Sequence, residues 1–348
     1  MQHHLFARAG AMVVIITILF LFSWESYWRK KGFVISCNDD KIAWAAKRKE
    51  VYQSPENATV FLGGSRIKFD LDIPTWEKLT GEQAVQLAMV GTPARLVLLD
   101  LANDKNFKGK VLVDVAEGQL FSADTVRRDK SAREALKYYH DETPAQKVSA
   151  AINRTLESRL VFLEEGKLGL NNLLNEIPLK DRPGVPPRVL PVPKEYAYAS
   201  FDRQAIFTDH FLADTSWQHK QIATWNRTGV ANMAKPPLYK GDSLIMLFAQ
   251  LKTAIDKIRS RGGTVVFVRP PSSLGYLVNE NKIFPRSVYW NRMLEYTNTP
   301  GIHYADYPGT SNLMCIESSH LGKTDAVKYT TELVKILKEE KGWQFARR

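Results

Sequence analysis

Cysteine is scarce in this chain: Cys37 and Cys315 are the only two among 348 residues. Two thiols cannot build the disulfide framework of a small secreted scaffold, so a hydrophobic core must hold the fold. In an oxidising compartment they can be bridged to each other; two separate thiols fit the spacing equally well. No His/Cys pattern has zinc-ligand spacing, and no motif calls for a cofactor, so neither metal nor cofactor is expected. Internal repeats, low-complexity tracts and nucleic-acid-binding modules are missing too. That sets aside solenoids and disordered chains, and nucleic acid as a partner. Finally, no small-x-small cleavage site follows the apolar N-terminus, which excludes a removed signal peptide.

What is present is the composition of a globular protein, with 44% hydrophobic and 24% charged residues. The length suffices for one large domain or two ordinary ones. Net charge is +11 at pH 7, and residues 1–32 contribute +3 of it through Arg8, Arg29, Lys30 and Lys31 against Glu25. The basic residues are interspersed with acidic ones, as on a solvated surface, although the surplus also suits an anionic lipid or glycan.

Ala9 to Trp24 carries no charge. With Leu5 and Phe6 before it, and Tyr27 and Trp28 after it as an interfacial aromatic belt, it reaches the roughly 20 residues that a bilayer span needs. The sequence then continues Trp-Glu-Ser-Tyr-Trp-Arg-Lys-Lys. This predicts an uncleaved signal anchor over residues 1–32, with a buried soluble helix as the alternative. Arg29, Lys30 and Lys31 outnumber Arg8, so the positive-inside rule taken alone keeps the large domain in the cytoplasm.

Beyond the anchor, residues 33–58 read as a juxtamembrane segment, with a helix from Ile42 to Tyr52 that ends before Ser54-Pro55. Thr59–Leu62, Ala84–Val90, Lys110–Val115, Thr264–Val268 and Ile302–Tyr304 read as strands, several of them near-continuous hydrophobic runs. Helices are expected after Thr92-Pro93, with the threonine as cap, and from Asp242 or Ser243 to the Gly262-Gly263 stop. Two more are expected over Val288–Tyr296 and from a Thr324 cap onward. Such alternation predicts a parallel sheet with helices on both faces, built from residues 59–120 and 241–348. Between them lies an insertion, 121–240. It opens with a charged helical stretch, Arg127 to Glu142, and an amphipathic run, Val148 to Leu163. A proline-rich connector follows, with Pro183, Pro186, Pro187, Pro191 and Pro193. A lid or partner surface and plain structural elaboration are both open readings. Asn57, Asn153 and Asn226 stand in Asn-x-Ser/Thr sequons.

Chemistry concentrates at two places. Ser65 follows the first strand in Val60-Phe61-Leu62-Gly63-Gly64-Ser65-Arg66, and His320 closes Glu317-Ser318-Ser319-His320 before the last helix. A serine hydroxyl becomes a nucleophile when an imidazole takes its proton, and a carboxylate can orient that imidazole. Asp306, after the last short strand, is a rival for the acid. Arg269 ends a central strand, where a guanidinium either binds a carboxylate or phosphate or pairs with a neighbouring acid.

These blocks resemble the SGNH (GDSL-like) hydrolases. Gly64-Ser65-Arg66 is similar to that family's first block, Gly91 to its second-block glycine, and Glu317-Ser318-Ser319-His320 to its terminal Asp-x-x-His. The resemblance implies a three-layer α/β/α flavodoxin-like domain, with Ser65 as nucleophile, His320 as base and Glu317 as the orienting acid. The backbone N–H groups of Ser65 and Gly91 would form the oxyanion hole. Gly64 replaces the usual aspartate, and Asp114-Val115-Ala116-Glu117-Gly118-Gln119 replaces the Gly-x-Asn-Asp block. Losing that block's oxyanion donor costs about 3–4 kcal/mol in other enzymes, a place Gln119 or Arg66 can fill. Arg66, Arg269 and Gln119 are the expected substrate contacts. The anchor, Val266-Phe267-Val268-Arg269-Pro270, and Ser-His-Leu followed by Asp325-Ala326 resemble the membrane-anchored branch of lipoteichoic acid D-alanylation and alginate or peptidoglycan O-acetylation. That branch implies an exported (periplasmic) domain on the cytoplasmic membrane, a multi-pass membrane acyltransferase as partner, and O-acyl (acetyl) transfer to a polysaccharide or glycolipid. A carbohydrate or lipid esterase and a non-catalytic assembly factor are the alternatives.

Overall fold

A computed structural model describes residues 2–53, 58–174, 195–229 and 237–346. The Ser54-Pro55 helix end, the Asn57 sequon and the connector prolines Pro183 to Pro193 lie outside the described residues. The chain divides into two compact units, Met1–Asn38 with Pro144–Glu195, and Asp39–Thr143 with Tyr196–Arg348. Residues expected as one insertion are therefore shared between the two.

The first unit holds the N-terminal helix, Gln2–Lys30. Within it Phe6–Lys30, 25 residues, is long and apolar enough to cross a membrane, since at 1.5 Å per residue it spans about 37 Å against a hydrocarbon core of about 30 Å. The same unit contains the helix Pro144–Glu157 and a 3-10 turn, Val161–Leu163.

A five-stranded sheet, all parallel, organises the second unit. Its strands are β1 (Ala58–Leu62), β2 (Gln83–Gln86), β3 (Lys110–Asp114), β6 (Thr264–Arg269) and β7 (Gly301–His303), in the order β2-β1-β3-β6-β7. A separate antiparallel pair joins β4 (Ala197–Ala199) to β5 (Ala205–Phe207). Strand side chains alternate between two cores. Val60, Leu62, Val111, Val113, Val265 and Phe267 face one core, which the helices Arg95–Asn103 and Gly241–Arg259 complete with Leu98, Leu101, Leu251 and Ile255. Phe61, Leu112, Val266 and Val268 face the other, completed by Trp76 and by Tyr329, Leu333 and Leu337 of the helix Lys323–Glu339. Burial on both faces is why these strands read as unbroken hydrophobic runs.

Several boundaries differ from the sequence expectation, each for a local reason. β2 stops at Gln86 rather than running to Val90. Past that point the edge carbonyls are taken by side chains: Arg203 donates to Gln86 O at 2.6 Å and Ala88 O at 3.3 Å, and Trp44 Nε1 donates to Leu87 O at 2.9 Å. These contacts cover an edge that would otherwise present unpaired groups. Thr92 does not cap the next helix. Its hydroxyl donates to Val90 O at 3.3 Å within a turn where Gly91 has φ +70°, and the helix begins at Arg95. Ser243 acts from inside its helix, where its Oγ accepts the Lys240 N–H at 3.0 Å. The last helix starts at Lys323 on Gly322, one residue ahead of Thr324. Val288 to Tyr296 splits into a π turn, Ser287–Asn291, and a short α-helix, Arg292–Thr297.

Candidate active site

The strand order reverses at β1, between β2 and β3, and the crevice at the carboxyl ends of strands beside such a reversal is where open parallel sheets hold ligands. Ser65 stands there. β1 ends at Leu62, Gly63 turns with φ +142°, and Ser65 opens a short helix, Ser65–Asp70. Packing is close at both glycines. A Cβ on Gly63 would lie 2.3 Å from Asp114 Cβ, and one on Gly64 would lie 2.1 Å from Gln119 Oε1. The aspartate of the resembled motif, placed at position 64, would have to displace the Gln119 amide. A carboxylate still reaches this turn from β3, because Asp114 Oδ2 accepts the Gly64 N–H at 3.0 Å. Burial pushes the Asp114 carboxyl up to about 6.

Glu317 and His320 come from a tight loop closed by a Cys315–Leu321 bridge, in which the Ile316 N–H donates to His320 O at 2.9 Å. Its apex, Ser318, has φ +79°, a left-handed conformation uncommon outside glycine. Ser273 fixes the loop from outside: its N–H donates to Ser318 O and its Oγ accepts the Cys315 N–H, each at 2.9 Å. Asp70 fixes it from the nucleophile's own helix, accepting the Leu321 N–H at 2.8 Å. Burial holds the Asp70 carboxyl well above the usual carboxylate range.

Ser65, His320 and Glu317 meet. His320 Nε2 lies 2.8 Å from Ser65 Oγ, and His320 Nδ1 lies 2.5 Å from Glu317 Oε1. Glu317 is fully buried, His320 is 4% exposed and Ser65 9% exposed, so the relay is shielded from water except at the hydroxyl. Phe69 stacks on the imidazole with centroids 4.4 Å apart. Tyr196, which no sequence motif singles out, brings its hydroxyl to 3.2 Å from His320 Nδ1. Its burial, with Glu317 nearby, keeps that phenol neutral, far above its ordinary pKa. Asp306 is elsewhere, in a bidentate pair with Arg286 at 2.7 and 2.6 Å on the surface.

Ser65 and His320 open onto a cavity of about 160 Å³ lined also by Gly91, Gln119, Arg128, Trp225 and Tyr276. Gln119 Oε1 is buried there with no hydrogen-bond partner among the described residues. Beside the cavity lies a quartet of buried charges. Glu280 accepts from Arg66 at 2.5 Å, from Arg269 at 2.8 Å and from Ser272 Oγ at 2.7 Å, while Glu117 accepts from Arg269 at 3.0 Å. In place of the anion contact expected of them, both guanidiniums are paired with acids. Arg269, 1% exposed, lies behind Glu117 and Glu280, and only Arg66 borders the cavity, with its Nη1 3.7 Å from Glu117 Oε2. The quartet is neutral and joins three strand ends: Arg66 after β1, Glu117 after β3 and Arg269 at the end of β6. Cys37 and Cys315 are both buried.

The groups gathered here are those of nucleophilic acyl chemistry: a hydroxyl on an imidazole, an imidazole on a carboxylate, and backbone and amide groups facing the same small space. No protein-family model matches the chain, and no curated protein matches it.

Proposed function

We propose that this chain is a serine acyl-ester enzyme of the SGNH type, anchored by its N-terminal helix, that transfers an O-acyl group, acetyl in the first instance, to an envelope or secreted polysaccharide. The observation that carries the reading is the continuous Ser65–His320–Glu317 relay, with contacts of 2.8 and 2.5 Å. The fold adds support. Counting only the five strands of the sheet, their order is 2-1-3-4-5, that of flavodoxin-like folds, and Ser65 follows strand 1 at the reversal.

In this reading Ser65 Oγ attacks the ester carbonyl carbon of an acyl donor as His320 Nε2 takes the hydroxyl proton. Glu317 stabilises the imidazolium that forms. The carbonyl oxygen, now an oxyanion, is held by the N–H groups of Ser65 and Gly91, with the Gln119 amide as a third donor. Collapse expels the donor's alkoxide, which takes the proton from His320, and leaves an acyl-serine. A glycan hydroxyl then gives its proton to His320, attacks the acyl carbonyl, and leaves as the O-acyl ester while Ser65 regains its proton. Water in the acceptor's place gives hydrolysis. On the resemblance to the anchored branch, the domain is extracytoplasmic (periplasmic) and works beside a multi-pass membrane acyltransferase.

The test is the ester content of the envelope polysaccharide in cells carrying Ser65→Ala, together with acetyl-ester turnover by the purified chain. Loss of both supports the reading, and loss of esterification in cells whose wild-type enzyme hydrolyses little in vitro points to a partner-dependent transferase. Normal esterification with Ser65→Ala would discard the enzyme and favour a non-catalytic assembly role.

A further inference from the structure

The helix Pro144–Glu157 has 14 residues, and none of them is buried. A helix of this length is marginal in water unless one face finds a partner. Val148, Ile152 and Leu156 recur at four-residue spacing along one face, 61%, 55% and 45% exposed. Lys147, Asn153 and Arg154 take the other side. The pattern is amphipathic, and among the described residues the apolar stripe stays exposed.

What the stripe meets follows from where the helix ends. Arg29 donates to Arg159 O at 3.0 Å, and the Glu25 carboxylate accepts the N–H groups of Val161 and Phe162 at 3.0 and 3.2 Å. Asn38 Nδ2 donates to Glu157 Oε1 at 3.0 Å. Glu25 and Arg29 belong to the last two turns of the membrane-length helix, among Trp24, Tyr27 and Trp28, the aromatics of an interfacial belt. The carboxyl end of Pro144–Glu157 is therefore pinned at the level where the anchor leaves the hydrocarbon. We propose that this helix lies on the lipid bilayer as a second, interfacial attachment. Val148, Ile152 and Leu156 enter the boundary between headgroups and acyl chains, and Lys147 and Arg154 supply positive charge for anionic headgroups. The proposal rests on Phe6–Lys30 entering a bilayer and is independent of the acyl-transfer reading.

The experiment uses the full chain in vesicles of phosphatidylethanolamine and phosphatidylglycerol, with Cys37 and Cys315 replaced by serine. A fluorophore is attached in turn to Ile152→Cys, Lys147→Cys and Ile16→Cys. Nitroxide-labelled lipids should quench the Ile152 probe several-fold more than the Lys147 probe, at a depth shallower than that of the Ile16 probe. Equal access of aqueous iodide to the Ile152 and Lys147 probes would place the stripe in water and overturn the proposal. Shielding of the Ile152 probe from both quenchers would overturn it in favour of a second copy of the chain. An Ile16 probe unaffected by lipid nitroxides would remove the premise. None of these outcomes bears on Ser65 chemistry.

Discussion

At the scale of the residue, the relay depends on groups outside the three that react. Tyr196 stands 3.2 Å from His320 Nδ1, its phenol kept protonated by burial beside Glu317. Tyr196→Phe removes this hydroxyl from beside the imidazole and should lower kcat several-fold by loosening the position of the ring. The fold should lose only about 1 kcal/mol, and steady-state kinetics with a denaturation curve check both. The two glycines before Ser65 make a contrasting pair. Gly63→Ala combines φ +142° with a contact to Asp114 Cβ, neither of which can yield cheaply; it should destabilise by about 2–4 kcal/mol. Gly64→Ala meets only the end of the Gln119 side chain, which can swing away. Its stability should change little while kcat falls about a hundredfold through the displaced amide. Thermal unfolding and single-substrate kinetics on the two variants separate these effects.

At the scale of the element, β3 delivers a charge that the fold pays for. Asp114 is 2% exposed and its carboxyl is raised from 3.8 to about 6. The folded chain thus keeps a proton that the unfolded chain releases between those values. This group's contribution to stability is full below about pH 4 and is lost as pH rises through 6, on the order of 3 kcal/mol in total. Asp114→Asn keeps an oxygen to accept the Gly64 N–H and removes the titration. Denaturant unfolding should show it at least as stable as the wild type at pH 7, with a flatter pH dependence between 4 and 6. An unchanged slope would assign the dependence to other groups. The elements were legible in the sequence where burial is two-sided: β1, β3 and β6 are unbroken apolar runs because both faces are covered. Helix starts were less so, because Thr92 and Ser243 offer their hydroxyls to carbonyls and N–H groups at other positions than the usual cap. In the site, Ser65, Glu317 and His320 were readable from their place at the first strand's end and before the last helix. Asp70, Asp114, Tyr196 and Glu280 acquire meaning only through packing, and a glutamate inside a helix such as Leu274–Ile283 reads as surface until a buried arginine meets it.

At the scale of the whole molecule, a membrane-length helix precedes a unit whose sheet carries the relay. Charge alone puts the basic flank, Arg29 to Lys31, on the cytoplasmic side, whereas the proposed function requires residues from about 33 onward outside. A C-terminal alkaline phosphatase fusion should be active in cells, and activity from a cytoplasmic reporter alone would return the domain to the cytoplasm and remove its polysaccharide acceptor. The central claim is narrower: that Ser65, activated by His320, takes an acyl group. Treating the purified full chain with a fluorophosphonate probe and locating the adduct by peptide mass spectrometry tests it most directly. The account predicts a single adduct on Ser65, abolished in Ser65→Ala and strongly slowed in His320→Ala. A folded wild-type chain that takes no label, or takes it at another serine, would contradict it.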